Sequence, residues 1–379
     1  MAVEQMQKLF ISLCLLATVS LAADTVCYPV ECKLSTQTFT SETCAYWDKA
    51  SDIYYLEACS STSYCPSLDF EDPANSTCAT TPTTTLNKYP GEKCTATSDC
   101  DTTYATGGCV GGVCVGISAN GNCTHYGECE PGYYCGSEGK CISQVKVGGQ
   151  CENDFQCING AGCNITTTAT YGTCVSYFSV DDHARVATCN STLNNYLCAS
   201  TMCDTDNGEA ICLSSVKSKM GNLLPMICEN NDQCESSADP VTGYIYTLDC
   251  VCGLNKHGYS FCNQWPGDPD FAHLIQMWKK WVFSTNVDKC NTLRRQNFQC
   301  IADWWDSNDM TLLNYFSLKT NYWPYLQMND DCTQNMFLSD YYKVQESYNA
   351  LRNTTDPDDH HETSSAILLG FSLPLLAYA

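Results

Sequence analysis

The chain has 379 residues, including 31 cysteines, and carries a formal net charge of −23 at pH 7. The acidic excess lies mainly between Asp24 and Cys252, where there are 27 acidic and 9 basic residues, whereas the stretch from Gly253 to Arg352 is almost balanced. Because nucleic acids are bound by basic patches, this charge excludes nucleic acid as a partner and argues against direct binding to anionic lipid.

The first 23 residues contain an apolar run, LFISLCLLATVSLAA, that ends in small residues at Ser20, Ala22 and Ala23. This pattern predicts a signal peptide over residues 1–23. A buried core helix is the alternative, but it does not explain the small residues at the end of the run, which is also short for a membrane span. We therefore expect an extracellular chain.

The cysteine count fits an oxidising compartment. Cys14 lies in the predicted signal peptide, so 30 cysteines remain, and an even number predicts a disulfide framework. Paired zinc ligands are typically spaced C-x2-C, and this spacing does not occur, the one close pair being Cys250 and Cys252. The sequence predicts no metal site and no cofactor.

Residues 24–78 form a predicted N-terminal module that could close on itself through three disulfides. Its six cysteines are Cys27, Cys32, Cys44, Cys59, Cys65 and Cys78. Residues 79–90 follow and include ATTPTTTLNKY, whose five threonines and one proline predict an exposed linker.

Residues 91–262 repeat a pattern in which two cysteines separated by five residues are followed by two more. The first, second and third units contain the predicted disulfide scaffold: Cys94, Cys100, Cys109, Cys114, Cys123, Cys129, Cys135, Cys141, Cys151, Cys157, Cys163 and Cys174. A degenerate unit holds Cys189, Cys198, Cys203 and Cys212, and a last C-x5-C pair stands at Cys228 and Cys234. Such small units with few apolar residues need covalent staples. We expect short β-hairpins and loops in an elongated array, and the spacing leaves the disulfide connectivity open.

Five N-x-S/T sequons lie along the chain. Asn75, Asn122, Asn164 and Asn190 are predicted glycosylation sites and should therefore be exposed. The fifth sequon, at Asn353, competes with a predicted role in anchoring.

Residues 263–352 differ in character, because they contain six of the seven tryptophans and only three cysteines. Asp268 and Pro269 are a typical cap and first residue of a helix, and the apolar residues that follow at helical spacing include Trp278 and Trp281. This pattern predicts a helix with one buried face.

A second helix is predicted from Val287 to Trp305 and a third from Ser339 to Arg352. The fold class predicted for the chain is thus small disulfide-rich repeats followed by a small, mainly α module. The tryptophans are expected to form the core of that module. A carbohydrate-binding platform is the alternative, and the pairs Trp304–Trp305 and Tyr322–Trp323 are the least constrained by the helical pattern.

The cysteine counts of two segments make a further prediction. Five cysteines lie between Cys228 and Cys262, and the helical module contains Cys290, Cys300 and Cys332. Both counts are odd, so at least one disulfide should join the two segments if every thiol is paired. We expect Cys250, Cys252 or Cys262 of the first segment to bond to one of the three cysteines of the helical module.

Residues 353–379 resemble the signal for a glycolipid (GPI) anchor. Asn353, or with poorer spacing Ser364, is the candidate attachment residue, and a polar spacer leads to the apolar run AILLGFSLPLLAYA. This run is too short to span a bilayer as a helix. A frayed apolar terminus is the alternative. The expected location is the outer face of the plasma membrane, or the medium if the protein is secreted.

The C-x5-C spacing, the element GYYC (Gly132–Cys135) and the closing GKC (Gly139–Cys141) resemble the N-terminal cysteine-rich region of Dickkopf-type secreted proteins. They are also similar to the tandem cysteine-rich repeats in predicted surface proteins of ciliated protists. The resemblance covers residues 91–262 and implies an extracellular disulfide scaffold. It carries over no receptor and no binding residue, because the second cysteine-rich domain, through which Dickkopf proteins mainly act, has no counterpart here.

Three functions follow as hypotheses. The first is a non-enzymatic, GPI-anchored, glycosylated coat or interaction protein with an unknown protein or glycan partner at the cell surface. The second is a secreted Dickkopf-like receptor ligand or antagonist. The third, an enzyme, is disfavoured because G-x-S-x-G, H-E-x-x-H and a glycine-rich phosphate loop are absent and the cysteines are expected to be paired.

Overall fold

The computed structural model describes residues 26–34, 38, 42–60, 63–65, 75–80, 87–165, 169–186, 196–206, 209–216, 219, 226–241, 243–327, 330, 332–333 and 339–355. Within them a small β-sheet is followed by disulfide-bonded hairpins and then by helices. Disulfide-rich small repeats followed by an α module are thus confirmed. The elongated shape stays a prediction.

The described residues of the N-terminal module include six short strands. They are β1 Val30–Cys32, β2 Thr43–Asp48, β3 Ile53–Leu56, β4 Ser63–Tyr64, β5 Ser76–Thr77 and β6 Ala79–Thr80. Four of them form a sheet in the order β1-β3-β2-β5, in which β1 and β3 are parallel, and β4 pairs with β6. Aromatic and β-branched residues favour this extended backbone, and Val30, Tyr54 and Leu56 are fully buried.

Twelve further strands lie in the described residues of the repeats. They are β7 Gly108–Val110, β8 Val113–Val115, β9 Tyr133–Cys135, β10 Cys141–Ser143, β11 Gln150–Cys151, β12 Ala161–Asn164, β13 Gly172–Ser176, β14 Cys203–Asp206, β15 Glu209–Cys212, β16 Ile227–Cys228, β17 Cys250–Cys252 and β18 Ser260–Cys262. In each of the five described hairpins, two cysteines lie directly opposite each other, as Cys135 and Cys141 do. Facing residues of an antiparallel pair point to the same side of the sheet, so each hairpin offers two sulfurs to the loop in front of it.

The disulfides of the units are crossed, because the first cysteine bonds to the third and the second to the fourth. All twelve predicted scaffold cysteines are paired in this way, and the last unit repeats the pattern with Cys228–Cys250 and Cys234–Cys262. The Cα atoms of these pairs are 5.4–6.0 Å apart, the usual range for a disulfide. Each unit is therefore stapled locally, which offsets its small core.

The side chain before the second cysteine of each C-x5-C loop stabilises that loop. It accepts a hydrogen bond of 2.7–3.0 Å from the backbone N–H of the residue after the first cysteine. The four acceptors are Asp99, Glu128, Gln156 and Gln233. Burial raises the pKa of Glu128, but hydrogen bonds from the backbone and hydroxyl of Thr124 outweigh burial and hold that pKa below its usual value. Part of the acidic excess thus has a structural role.

In the described part of the chain, four α-helices with assigned bounds follow the repeats. They are α1 Pro269–Val282, α2 Phe298–Trp304, α3 Ser307–Asn321 and α4 Ser339–Thr355. Helix α1 begins at Pro269 after Asp268 and buries Trp278 and Trp281, as predicted, and α4 confirms the third predicted helix. Helix α3 was missed because its apolar residues do not gather on one face.

The predicted second helix, Val287 to Trp305, is wrong over its first half. Val287–Lys289 forms one 3-10 turn, residues 290–297 run through turns, and only Phe298–Trp304 is helical. This stretch is not helical because its side chains and backbone carbonyl groups form hydrogen bonds with the repeats.

One large apolar core joins all three parts of the chain. It includes Tyr54 and Leu56 of the N-terminal sheet, Leu197 of the degenerate unit, Trp281 of α1 and Leu313 of α3, all fully buried. The repeats are therefore packed on the helical module.

Residues 287–304, here named the seam segment, run along the first three repeat units. Asn291 Nδ2 donates to two backbone carbonyls of the second unit, at 2.7 and 3.2 Å. In the opposite direction, Asn159 Nδ2 of the third unit donates to two carbonyls of the seam segment, at 2.8 Å each. Both asparagines are fully buried, so these bonds fix the seam segment without competition from water.

The first unit contacts the seam segment at several points along its length. Trp304 Nε1 donates to Gly91 O at 2.8 Å, and Arg294 Nε donates to Glu92 Oε1 at 2.9 Å. Burial raises the pKa of the Glu92 carboxyl, while Arg294 acts in the opposite direction. A Cβ at Gly91, where φ is +93°, would collide with the carbonyl oxygen of Lys289, so this approach requires glycine.

The disulfides between segments differ from those predicted. Cys252 bonds to Cys27 and Cys332 bonds to Cys32, while the other cysteines of the two odd-numbered segments pair internally. Both odd segments are thus completed by the N-terminal module, which therefore does not close on itself through three disulfides. Its two internal bonds are Cys44–Cys65 and Cys59–Cys78.

Candidate interaction surface

The last repeat unit has an unusually long loop between its second and third cysteines. Fifteen residues, 235–249, lie between Cys234 and Cys250, against five at the same place in the second and third units. The root of this loop is closed by Ser236, whose N–H donates to Tyr246 O at 2.8 Å and whose hydroxyl oxygen accepts from Tyr246 N at 3.0 Å. The insertion is therefore a folded hairpin.

The projecting part, residues 239–246, is here named the tip loop; Thr242 lies outside the described residues. The carboxylate of Asp239 holds its root, since both oxygens lie 3.0 Å from His183 Nε2 and one accepts from Ser214 N at 3.3 Å. The Asp239 side chain is almost fully buried. His183 precedes the degenerate unit and Ser214 follows it. The tip loop of the last unit is therefore held by residues on both sides of the neighbouring unit.

Three apolar side chains project from the tip loop. Val241 is 72% exposed, and Tyr244 and Ile245 are each 41% exposed. Two backbone bonds hold them in place, from Asp239 N to Tyr244 O at 2.7 Å and from Gly243 N to Asp239 O at 2.9 Å. Gly243 has φ +70°, which glycine adopts without strain.

The last residue of the tip loop, Tyr246, packs on the second apolar cluster of the protein. Burial raises the pKa of its phenol, and Asp204 and Asp249 add to this shift, so the phenol stays neutral. A tyrosine and two aliphatic side chains on a preformed loop suit a protein contact, because tyrosine is frequent in binding hot spots and a fixed loop loses little conformational entropy on binding.

The predicted scaffold cysteines come together as the interior of each unit. In each of the first three units, three sulfurs lie within 4.8 Å of one another, a distance that would suit a metal ion if they were thiolates. All of them are bonded in disulfides and offer no thiolate. Their role is structural, and the absence of a metal site stays a prediction.

The predicted glycosylation sites differ in accessibility. Asn75 and Asn122 are exposed. Asn164 is half-buried, and its Nδ2, the atom that would carry the sugar, donates to Arg185 O at 3.3 Å. Asn190 lies outside the described residues. The structure thus favours the first two sites over Asn164.

The processing signals lie largely outside the described residues, which include neither residues 1–23 nor Ser364. Asn353 lies in the last turns of α4. Among the described helices, none combines the length and the apolar character needed to cross a membrane. The signal peptide and the anchor stay predictions.

The tryptophans with a possible carbohydrate role have other contacts. The Trp304 ring has the ammonium groups of Lys93 and Lys289 at 4.8 and 4.5 Å from its centroid. Trp305 packs on Trp281 with ring centroids 5.5 Å apart. These contacts favour a packing role over a sugar platform.

Comparison of the chain with protein-family models, with curated proteins and with solved structures finds no match. The covalent chemistry therefore carries the assignment of compartment. Dense disulfide bonding is typical of extracellular or secreted proteins, and this chain is of that kind.

The tip loop was missed from the sequence. Two features could have indicated it: the fifteen-residue gap after Cys234 and the turn motif Asp-Pro-Val-Thr-Gly, which is followed by two tyrosines. The contact of His183 with Asp239 could not be predicted from the sequence, because the two residues are 56 positions apart in the chain.

Proposed function

We propose that the protein is a non-enzymatic, glycosylated surface protein, held outside the cell by a glycolipid anchor, that binds a protein partner through the tip loop. The observation that carries this proposal is the exposure of Val241, Tyr244 and Ile245 on a loop fixed by a buried carboxylate and closed by disulfide-bonded cysteines. Such a loop binds by contact and does not depend on a reactive group.

A non-enzymatic role is supported by the use of the polar side chains. The acids and amides before the second cysteines cap loops, Asn159 and Asn291 hold the seam segment, and Asp239 fixes the tip loop. These groups are bound to the protein itself and leave little for acid–base chemistry.

The charge suggests what the partner surface is like. The exposed apolar side chains of the tip loop belong to the part of the chain, Asp24 to Cys252, that carries the acidic excess. A partner with an apolar centre and a basic rim would complement it, since opposite charges around a contact speed association and reject wrong partners.

The location rests on the chemistry of the chain. The disulfides suit an extracellular surface, exposed Asn75 and Asn122 suit glycans, and the small residues, polar spacer and apolar run of residues 353–379 suit a glycolipid anchor. Release of the protein from intact cells by a phosphatidylinositol-specific phospholipase tests the anchor. Detection of a peptide from the apolar run in mature protein would instead favour a secreted ligand.

The binding role is tested with the labelled, disulfide-intact protein applied to cells that express it and to cells in contact with them. The triple variant Val241→Ser, Tyr244→Ser, Ile245→Ser should lose at least about tenfold in cell binding, because hot-spot side chains carry most of the affinity. The matched control is Val110→Ser, a similarly exposed valine (61%) on the first hairpin, which should bind normally. Equal binding by the triple variant and the wild type would refute the role of the tip loop.

A further inference from the structure

A polar cleft of about 380 Å³ opens in the N-terminal module, away from the tip loop. The disulfide Cys59–Cys78 forms part of its wall. Three charged side chains, Lys33, Glu42 and Glu57, line the same cleft, and Lys33 Nζ lies 2.6 Å from Glu57 Oε2. The cleft therefore brings a disulfide and a small set of charges to the surface.

This disulfide differs from the others in exposure. Fourteen disulfides have both cysteines within the described residues, and in thirteen of them at least one cysteine is no more than 9% exposed. In Cys59–Cys78 both cysteines are half-buried, and both line the cleft. An attacking thiolate approaches one of the two sulfurs in line with the S–S bond, so a disulfide in which both cysteines are half-buried can be attacked at either sulfur.

A second disulfide lies within reach of the first. The sulfurs of Cys44, Cys59 and Cys78 all lie within 4.8 Å of one another. Cys44 bonds to Cys65, and these two cysteines are 0% and 9% exposed. A thiolate formed in the cleft could therefore attack the buried bond, whereas a reagent in solution could not.

We propose that Cys59–Cys78 is a thiol–disulfide exchange site whose co-reactant is a small thiol or dithiol of neutral or positive charge. The incoming thiolate attacks Cys59 Sγ, the S–S bond breaks, and its electron pair leaves on Cys78 Sγ, which takes up a proton from water. The new bond joins Cys59 to the incoming sulfur. With a dithiol, the second thiolate displaces Cys59, so the protein gains two electrons and two protons and the reagent becomes a disulfide.

The charges of the cleft set the preference among thiols. Lys33 lines the same cleft as the leaving sulfur of Cys78, and an ammonium near a sulfur stabilises its thiolate. Lys33 is already paired with Glu57, and Glu42 leaves the cleft with one net negative charge. An anionic thiol is therefore repelled and a cationic one attracted.

The folded protein treated with limiting dithiothreitol, quenched with an alkylating reagent and mapped by mass spectrometry tests the site. Cys59 and Cys78 should be alkylated first, at least about tenfold faster than any repeat cysteine, with Cys44 and Cys65 following by internal exchange. The matched controls within the same sample are Cys94–Cys109 and Cys123–Cys135, each of which has one half-buried cysteine. Opening of either control bond as fast as Cys59–Cys78 would overturn the proposal.

A second measurement keeps the proposal open to refutation without removing a cysteine. Cysteamine should open Cys59–Cys78 faster than mercaptopropionate, after division by their rates with a small-molecule disulfide. The variant Glu42→Gln should reduce this preference by about two- to fivefold, as expected for one charge near the surface. An unchanged preference in Glu42→Gln would show that the charges of the cleft do not select the thiol.

Discussion

Replacing Asn291 with alanine should destabilise the contact between the seam segment and the second repeat unit. The Asn291 side chain is fully buried, donates to two carbonyls and accepts from Leu293 N at 2.9 Å. A buried carbonyl that loses its donor costs about 1–3 kcal/mol, so two of them predict a loss of about 2–6 kcal/mol in the free energy of unfolding. Guanidinium unfolding with the disulfides intact measures this loss.

A matched control is Asn321→Ala, since Asn321 is exposed at the end of α3 and should change stability by less than about 0.5 kcal/mol. Hydrogen exchange at the Leu293 amide gives a local readout and should speed up in Asn291→Ala alone. The reasoning is refuted if Asn291→Ala costs less than about 1 kcal/mol and leaves exchange at Leu293 unchanged. Asn159→Ala should cost less, about 1–3 kcal/mol, because Cys290 O loses its donor whereas Val287 O still accepts from Cys290 N at 3.1 Å.

Three further predictions follow from the structure. The double variant Cys32→Ala, Cys332→Ala should lose about 4–5 kcal/mol in the free energy of unfolding, measured with heat or denaturant, because with Cys27–Cys252 intact it opens a loop of about 85 residues. Removing Cys290–Cys300, which closes a loop of ten residues, should cost roughly 3 kcal/mol, and an equal cost for the two disulfides would contradict the reasoning. Burial raises the pKa of Tyr177 to about 12, so the unfolded chain ionises first and the contribution of this phenol to stability is present below pH 10 and lost as the pH rises toward 12. Burial also raises the pKa of Tyr322 and Tyr341, so near-ultraviolet phenolate titration should show several late phenols in the wild type and one fewer in Tyr177→Phe; an equal number in both proteins would argue against it. The pKa of Glu128 is lowered, so the contribution of its carboxylate to stability is present above the ordinary pKa of 4.5 and is lost as the pH falls through the folded pKa. Glu128→Gln should keep the Thr124 amide protected from hydrogen exchange in acid, where the wild type loses this protection. Equal loss of protection in both proteins would count against the cap.

The local predictions succeeded where short-range patterns decide the structure. Pro269 and the apolar stripe of α1 place that helix correctly, since both act within a few turns of the chain. Asp268 stands at the N-cap position, but its carboxylate accepts from Trp265 N and makes no capping hydrogen bond. The predicted helix from Val287 failed over its first half because its side chains bond to repeat units more than 100 residues away, as Asn291 does. The spacing of apolar residues along the chain does not predict such long-range contacts.

The tip loop shows the same limit at the candidate site. Its length and its turn residues were visible in the gap after Cys234, but the exposure of Val241 and the burial of Asp239 depend on His183 from another unit. A sequence pattern places a turn, whereas packing between units decides which face of the turn meets solvent.

The sequence by itself determined the repeat units, their hairpins and the need for disulfides, because each unit is closed by cysteines that are near in the chain and a short loop loses little entropy on closure. Parity also required the two odd segments to bond outside themselves. Only the tertiary structure decided that their partners are Cys27 and Cys32 of the N-terminal module. Loop-closure entropy grows slowly with length, so it hardly distinguishes distant partners, and the choice rests with the shared apolar core that brings the two ends of the chain together.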